Sequence, residues 1–234
     1  MTENTLNQIE RADPLVEVVL KQITDAIVTG RLRPEDKLVE TKLGEQLGVS
    51  RGPVREAFRR LEQMGLVEKI PYRGTFVSTL TDHDIEELHS VREPLEGLAA
   101  RLIAQQHNPQ TIVRLEALLE AMRQTAITGT QSEMIDLDAN FHDALIELSE
   151  HKLLREIWTP VSVRLRRFLL LKRQRLYQTL AEVAPLHEPI VTAIVAGEAE
   201  RAEVEARNHV ELAGQQLGHW SLPIEETAET EVVG

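Results

Sequence analysis

Apolar side chains recur every three or four residues in the first part of the chain, which is the spacing of one face of an α-helix. The first such stretch covers residues 15–29, and a second, shorter one covers residues 40–47. A third begins after Ser50, a natural N-cap, and ends at Gly65. The pattern therefore predicts three helices before the first strand.

Two short runs rich in β-formers follow these helices. Residues 66–70 and 75–78 flank the turn Pro71-Tyr72-Arg73-Gly74, and this arrangement predicts a β-hairpin. Two short helices joined by a glycine-containing turn, the second rich in arginine, are typical of a helix-turn-helix, and the hairpin is then its wing. We expect residues 13–79 to form this domain, after a disordered segment at 1–12.

From residue 81 onward the pattern is helical throughout. Thr81 and Asp84 have the spacing of a capping box at the start of the first of these helices. Pro94 and Pro160 fall inside predicted helices, so we expect a kink or a break at each. The predicted helices cover residues 82–106, 109–127, 131–149, 151–177, 185–196 and 198–217.

The fold class predicted for this chain of 234 residues is mainly α, an N-terminal winged helix-turn-helix followed by an all-α six-helix bundle. The bundle occupies residues 80–218, and a flexible acidic tail covers 219–234. The absence of cysteine excludes a disulfide scaffold and a thiolate zinc site. No apolar run approaches the ~20 residues that a membrane helix needs, so we expect a cytoplasmic protein without a membrane partner.

Charge is distributed unevenly along the chain. The formal charge is −12 overall, yet residues 1–80 carry 12 basic and 12 acidic side chains, so the excess negative charge lies in the second segment. The third predicted helix carries Arg51, Arg55, Arg59 and Arg60. A locally basic element on an acidic chain can bind a polyanion, but it can equally be a solvated helix face.

Three predicted helices of the bundle carry a set of side chains with metal-ligand chemistry. Asp138 and His142 are four residues apart, so they project from the same face of one helix and flank its apolar stripe. His187 and His209 lie on or beside the apolar stripes of two further helices. Each histidine alone is more typical of a hydrogen-bonded core residue, whereas the four together could hold a divalent metal through oxygen and nitrogen.

The run LVETKLGEQLGVSRGPVREAFRRLEQMGLVEKIPYRGTFV, residues 38–77, closely resembles the winged helix-turn-helix of GntR-type bacterial transcription regulators. The second segment resembles the FCD effector domain of the FadR branch, in its VanR-like type with six helices. The VREPLEGLAARL run and the later Asp and His spacing carry that likeness. Together the resemblances imply a regulator that binds double-stranded DNA at an inverted-repeat operator as a homodimer.

By position, the resemblance places Arg51 and Arg55 on operator bases or phosphates, and Gly74 at the wing tip in the minor groove. The planar fork of arginine matches guanine O6 and N7 in the major groove. Ser50 and the free N–H groups of the helix's first turn suit a phosphate. The candidate DNA-binding residues are Thr41, Ser50, Arg51, Gly52, Arg55, Arg73 and Gly74.

Two of these candidates depart from the pattern of the family. Gly52 stands where threonine is common, and Thr41 stands where related proteins carry arginine. Fewer contacts at these points would shift the operator sequence or weaken binding.

The D-x-x-x-H, H, H spacing matches the metal-binding FCD domains position for position. The resemblance thus implies a divalent ion, zinc, nickel or manganese, and a small organic acid whose carboxylate reaches it. The implied metal ligands are Asp138, His142, His187 and His209. Arg92 is our first candidate for the carboxylate, although a pairing with Glu93, Glu96 or a neighbouring helix fits it equally.

The predicted function is a transcriptional repressor whose operator affinity responds to the acid. One alternative is a metal-dependent enzyme that uses the Asp and three His side chains as its centre, which is chemically reasonable. The sequence offers no obvious general acid or base near them, however, and an enzyme has no use for the N-terminal domain. A second alternative, a scaffold that has lost DNA binding, conflicts with the intact pattern of Ser50, Arg51 and Arg55.

Overall fold

The computed structural model describes residues 14–176 and 180–215 of the chain. The predicted segments 1–12 and 219–234 lie outside these residues. Within them, two hydrophobic cores are formed, one by residues before position 78 and one by residues after position 84. The N-terminal unit and the helical bundle are therefore described in turn.

The N-terminal unit is a winged helix-turn-helix, as the pattern predicts. Its elements are α1 (Pro14–Val28), β1 (Lys37–Leu38), α2 (Glu40–Leu47), α3 (Arg51–Gln63), β2 (Val67–Ile70) and β3 (Gly74–Val77). The predicted hairpin is present as the antiparallel pair β2–β3, and β1 adds a third strand on the other side of β3. Sequence reasoning missed β1 because two residues are too short for any periodicity.

The turn between α2 and α3 depends on two glycines. Gly48 ends α2 in the left-handed conformation at φ 67°, which glycine adopts without steric cost. Gly44 lies where α2 meets the turn, and a Cβ there would be 2.9 Å from the main-chain oxygen of Val49. The close approach of main chain to main chain thus sets the angle between the two helices.

We expect Gly44→Ala to lower the free energy of unfolding by about 1–2 kcal/mol. Overpacking typically costs about 1–3 kcal/mol, and the better helix propensity of alanine returns up to about 1 kcal/mol. Urea unfolding followed by circular dichroism measures the difference. Gly52→Ala is the matched control because its Cβ would meet nothing nearer than Ser50 Oγ at 4.0 Å. Equal stability of the two variants would contradict the steric argument.

The second unit is a bundle of six α-helices within the described residues. They are α4 (Asp82–Gln106), α5 (Pro109–Thr128), α6 (Gln131–Leu148), α7 (Lys152–Leu176), α8 (Val183–Val195) and α9 (Ala199–Gln215). Thr81 and Asp84 form the predicted capping box, with the side chain of each accepting a hydrogen bond from the main-chain N–H of the other. A 3₁₀ turn at Leu180–Glu182, which the pattern did not predict, leads into α8 two residues earlier than expected.

The two prolines at which a kink or a break was predicted do not end their helices. Pro94 lies within α4 and Pro160 within α7, and each helix continues as one element. The carbonyls that lose their helical partner belong to Ser90 and Glu156, one turn earlier. Both residues are exposed, so water can hydrate these groups. We expected a kink or a break at each of these prolines, and neither helix breaks there.

The N-terminal unit docks on α7 of its own bundle. Arg164 donates from Nε to the main-chain oxygen of Met64, just past α3, over 2.9 Å. Gly65 leaves room for this contact, because a Cβ there would lie 2.8 Å from Arg164 Nη2. One turn further on, Arg167 is buried and donates from Nη1 to Ser78 Oγ, just past β3, over 2.6 Å. Two arginines of one helix thus hold the ends of α3 and β3.

Candidate functional site

The exposed start of α3 combines unpaired hydrogen-bond donors with positive charge. Ser50 occupies the N-cap position, as predicted, but its side chain makes no capping hydrogen bond. Arg51, the first residue of α3, is exposed and has no ion pair or hydrogen bond of its side chain within the described part of the chain. Gly52 and Thr41 are exposed beside it. This end of α3 is therefore open to an anion.

Arg55 lies one turn along α3 and is held by a carboxylate. It donates from Nη2 to Glu40 Oε2 over 2.9 Å and from Nε to Glu40 Oε1 over 3.1 Å. The hydrogen bond with Arg55 lowers the pKa of Glu40, so this acceptor is ionised. Sequence reasoning missed Glu40, because nothing in a separation of 15 residues signals the contact.

The other two arginines of α3 are paired with acidic side chains. Arg59 donates to Glu56 over 2.6 Å from Nη2, and Arg60 contacts Glu17 of α1. These ion pairs indicate that this half of α3 is a solvated helix face. Arg51, in contrast, has no such pair among the described residues and can contact an anion.

The tip of the wing is formed by the turn between β2 and β3. Tyr72 is fully exposed there and adopts a left-handed main chain at φ 63°, which is unusual for a residue with a side chain. Arg73 stacks its guanidinium over Phe76, 5.6 Å from the ring centre, and Gly74 follows at φ 118°. Sequence reasoning named Arg73 and Gly74 but missed Tyr72, whose exposure depends on the turn conformation.

The predicted metal ligands converge in the bundle. α6 contributes Asp138 and His142, α8 contributes His187 and α9 contributes His209, all of them buried. The candidate ligand atoms of the three histidines lie within 4.8 Å of one another. Asp138 places Oδ1 at 3.0 Å from His187 Nε2 and Oδ2 at 3.9 Å from His142 Nε2.

Hydrogen bonds set the tautomer of each histidine. His187 donates from Nδ1 to the main-chain oxygen of Val183 over 2.8 Å, and His209 donates from Nδ1 to that of Leu186 over 3.1 Å. His142 donates from Nδ1 to Glu96 Oε2 over 2.6 Å. In its neutral form each ring therefore has its proton on Nδ1 and turns Nε2 towards the cluster, as metal-binding imidazoles do when the other nitrogen is hydrogen-bonded.

Glu96 is a fully buried carboxylate that sequence reasoning had only as a pairing partner for Arg92. It accepts from His142 and from Arg92 Nε, the latter over 2.8 Å. Burial acts to raise the pKa of Glu96, but the charges of Arg92 and His142 outweigh it, and the pKa falls to about 2. The signal available in the sequence was the spacing of four from Arg92 on one helix face.

Arg92 both pairs with an acidic side chain and lies at the pocket, so the two interpretations of this residue from the sequence are compatible. It is buried, pairs with Glu96, and lies with Nη2 at 3.3 Å from His142 Nε2. Arg92 also lines the cavity described below. The pairing with Glu96 therefore does not remove it from the pocket.

Asp138 and His209 are also shifted in pKa. Burial acts to raise the pKa of Asp138, but the close contact with His187 and the charge of His142 bring it well below its usual range. Burial, together with the neighbouring His187 and His142, lowers the pKa of His209 well below its usual value. The pocket thus holds ionised carboxylates and at least one neutral imidazole, the protonation states that a metal ion requires.

A cavity of about 410 Å³ adjoins these side chains. Its described lining is Arg92, Asp138, His142, Phe168, Leu169, Ala181, Glu182, Val183, Pro185, Leu186, His187, His209, Leu212 and Ala213. This volume lies within the usual range for a small-molecule site.

The donor set fits a divalent metal. Nε2 of His187 is buried with Asp138 Oδ1 3.0 Å away, and it makes no well-aligned hydrogen bond within the described residues. Three imidazoles and one carboxylate are ligands that zinc, nickel and manganese accept.

Comparison with known proteins assigns the family. The model of the gntR family of bacterial regulatory proteins matches residues 15–77, and that of the FCD domain matches residues 87–212. The chain belongs to the GntR family. Its members are DNA-binding transcription regulators, which confirms the predicted regulator and contradicts the metalloenzyme alternative.

Relatives and solved structures with the same architecture extend this result. A probable D-xylose utilization operon transcriptional repressor of Paenarthrobacter nicotinovorans is 32% identical over 82% of this chain and 85% of its own. The uncharacterized regulator YdhC of Bacillus subtilis is 31% identical over 66% of this chain and 70% of its own. A putative GntR regulator from Rhodococcus has 27% identity and a TM-score of 0.72, covering 88% of this chain and 99% of that one.

No helix among the described residues combines the length and the apolar character that crossing a bilayer demands.

Proposed function

We propose that this regulator is a cytoplasmic repressor that binds an inverted-repeat operator as a homodimer and releases it when a small organic acid binds beside a divalent metal. The observation that carries the proposal is the shared orientation of the three histidines. Each uses Nδ1 to donate to a fixed oxygen and leaves Nε2 in the buried cluster with Asp138. An ordinary core histidine needs no such arrangement of its neighbours.

In this proposal the N-terminal unit binds DNA through two elements. The start of α3 brings Arg51 to base edges in the major groove, with Ser50 and the free N–H groups on a phosphate. Arg55 reaches the same groove from its position against Glu40. The wing would add Arg73 and Gly74 in the minor groove, and Thr41 of α2 and Gly52 of α3 would face the same duplex.

In the bundle, Asp138, His142, His187 and His209 would hold the metal. When bound, the ion supplies a Lewis acid with positive charge to which a carboxylate can coordinate. Glu96 orients His142 through Nδ1, and Arg92 presents its guanidinium to the same carboxylate. The family's FCD domain supports a small-molecule effector at this place.

The coupling between the two units would run through α7. Its Phe168 and Leu169 line the cavity, and the preceding Arg167 holds Ser78 beside the wing. Asp143, next to His142 on α6, accepts hydrogen bonds from Trp158 Nε1 over 2.7 Å and from Ser162 Oγ over 2.6 Å, both on α7. A ligand that shifts α6 or α7 would therefore change how the DNA-binding unit is held.

The test is acid-induced release of DNA with and without metal. A duplex is selected from a random pool by the purified full-length protein, and binding is followed by fluorescence anisotropy at fixed salt. We expect a carboxylic acid to lower DNA affinity at least fivefold when Zn²⁺, Ni²⁺ or Mn²⁺ is bound, and to have no effect after chelation. If the acid released DNA equally from chelator-treated protein, the role of the metal would be contradicted. A selected duplex without twofold symmetry would contradict the dimer.

A further inference from the structure

The lining of the cavity narrows the class of acid. Resting on the proposed function, we infer that the effector is a monocarboxylic acid with an apolar body, not a polycarboxylate or a sugar acid. Two features of the cavity support this inference. Its lining away from the histidines is mainly apolar, and few of its polar groups are available to bind further polar groups of a ligand.

Apart from Glu182, apolar side chains form the rest of the described lining. α7 contributes Phe168 and Leu169, and α9 contributes Leu212 and Ala213, which follow His209 by about one turn. Val183, Pro185 and Leu186 add the start of α8. A ligand whose carboxylate lies by the histidines therefore extends along an apolar wall, and burial of an apolar body there gains about 25 cal/mol per Å².

The polar side chains at the histidine end of the cavity already make hydrogen bonds within the protein. Arg92 is paired with Glu96, and His187 and His209 each donate from Nδ1 to a main-chain oxygen. A ligand with several hydroxyl groups would leave them without partners, and each unsatisfied buried hydroxyl costs about 1–3 kcal/mol in proteins. The lining thus disfavours sugars and sugar acids.

A second carboxylate would also lack a partner. Arg92 is the single cationic side chain among those described for the lining, and it lies by the histidines. Away from the histidines, the ionisable side chain in the described lining is Glu182, which is exposed at the N-cap of α8 and would repel a second negative charge. Desolvation of an unpaired carboxylate is far more costly than that of a methyl group.

Octanoate, suberate and octan-1-ol form a matched set that isolates each element of the inference. Suberate differs from octanoate by a second terminal carboxylate, and octanol lacks the carboxylate. With Zn²⁺-loaded full-length protein in isothermal titration calorimetry, we expect octanoate to bind at least tenfold tighter than either of the others, and citrate to bind more weakly than octanoate.

A variant at the cavity wall provides the second arm. Leu212 lines the cavity but is 47% exposed, so Leu212→Arg should leave the fold intact. We expect this variant to bind octanoate more weakly and suberate at least fivefold more tightly than the unaltered protein does. Leu153→Arg is the control, because Leu153 is 58% exposed and lies outside the lining described for the cavity.

The outcomes separate this inference from the proposed function. If suberate or citrate binds as tightly as octanoate in a metal-dependent manner, the apolar monocarboxylate class is wrong while the metal-dependent acid sensor stands. If octan-1-ol binds with the same affinity as octanoate, the carboxylate does not anchor the ligand and that part of the inference is wrong. If no acid binds the Zn²⁺-loaded protein, both the inference and the proposed sensor fail.

Discussion

Arg51→Ala is expected to lower the affinity for the selected operator at least tenfold while leaving non-specific binding nearly unchanged. A bidentate arginine–guanine contact discriminates by about 1–3 kcal/mol, and both protomers of the proposed dimer would lose it. Arg51 suits this role because its side chain has no ion pair or hydrogen bond in the described structure that DNA would have to break. Anisotropy titrations against the operator and a scrambled duplex measure the specificity ratio.

Arg59→Ala is the matched control for this experiment. It removes the same charge from the same helix, but Arg59 is paired with Glu56. We expect a specificity ratio close to that of the unaltered protein and a similar thermal midpoint for both variants. An unchanged ratio for Arg51→Ala would remove Arg51 from base recognition.

His187→Gln is expected to weaken metal binding by at least 100-fold. Loss of a hydrogen-bonded neighbour of a ligand alone typically costs 10–100-fold, and here a ligand itself is replaced. Competition with a fluorescent chelator measures the affinity, and elemental analysis of the purified protein measures occupancy. Circular dichroism of the metal-free forms checks that the bundle remains folded.

His83→Gln is the control for the metal experiment. His83 is 77% exposed on α4, beside Glu86 and Glu87, and has no contact with the cavity lining described here. We expect its metal affinity to equal that of the unaltered protein. If both variants kept full occupancy, the ion would have to bind elsewhere.

Regular patterns in the sequence were sufficient for much of the fold. The three- and four-residue spacing gave the six helices of the bundle, and the capping box at Thr81 was confirmed. The two-residue strand β1 was not predicted, because it pairs with β3 through long-range contacts that local patterns do not encode. A kink or a break was expected at Pro94 and Pro160, and the helices do not break there. The effect of a proline depends on whether the freed carbonyls face water, which the sequence does not show.

For the candidate site, the helical spacing predicted that the four metal-ligand side chains would lie together. It did not predict the hydrogen bonds that orient them. The inward positions of Asp138 and His142 followed from their spacing of four. The role of Glu96 in fixing the His142 tautomer required the packing of α4 against α6, which a single sequence does not reveal. The hold of Glu40 on Arg55 is likewise a contact between different helices.

The docking of each DNA-binding unit on α7 of its own chain has a consequence for mixed oligomers. Arg164 and Arg167 connect the ends of α3 and β3 to the helix that lines the same chain's cavity. In the proposed regulator, effector binding and DNA binding would therefore be coupled within one subunit. Consider a heterodimer in which one subunit cannot bind the effector. A saturating acid would release only the intact subunit from its half-site, so the other subunit would stay bound and repression would be partially relieved.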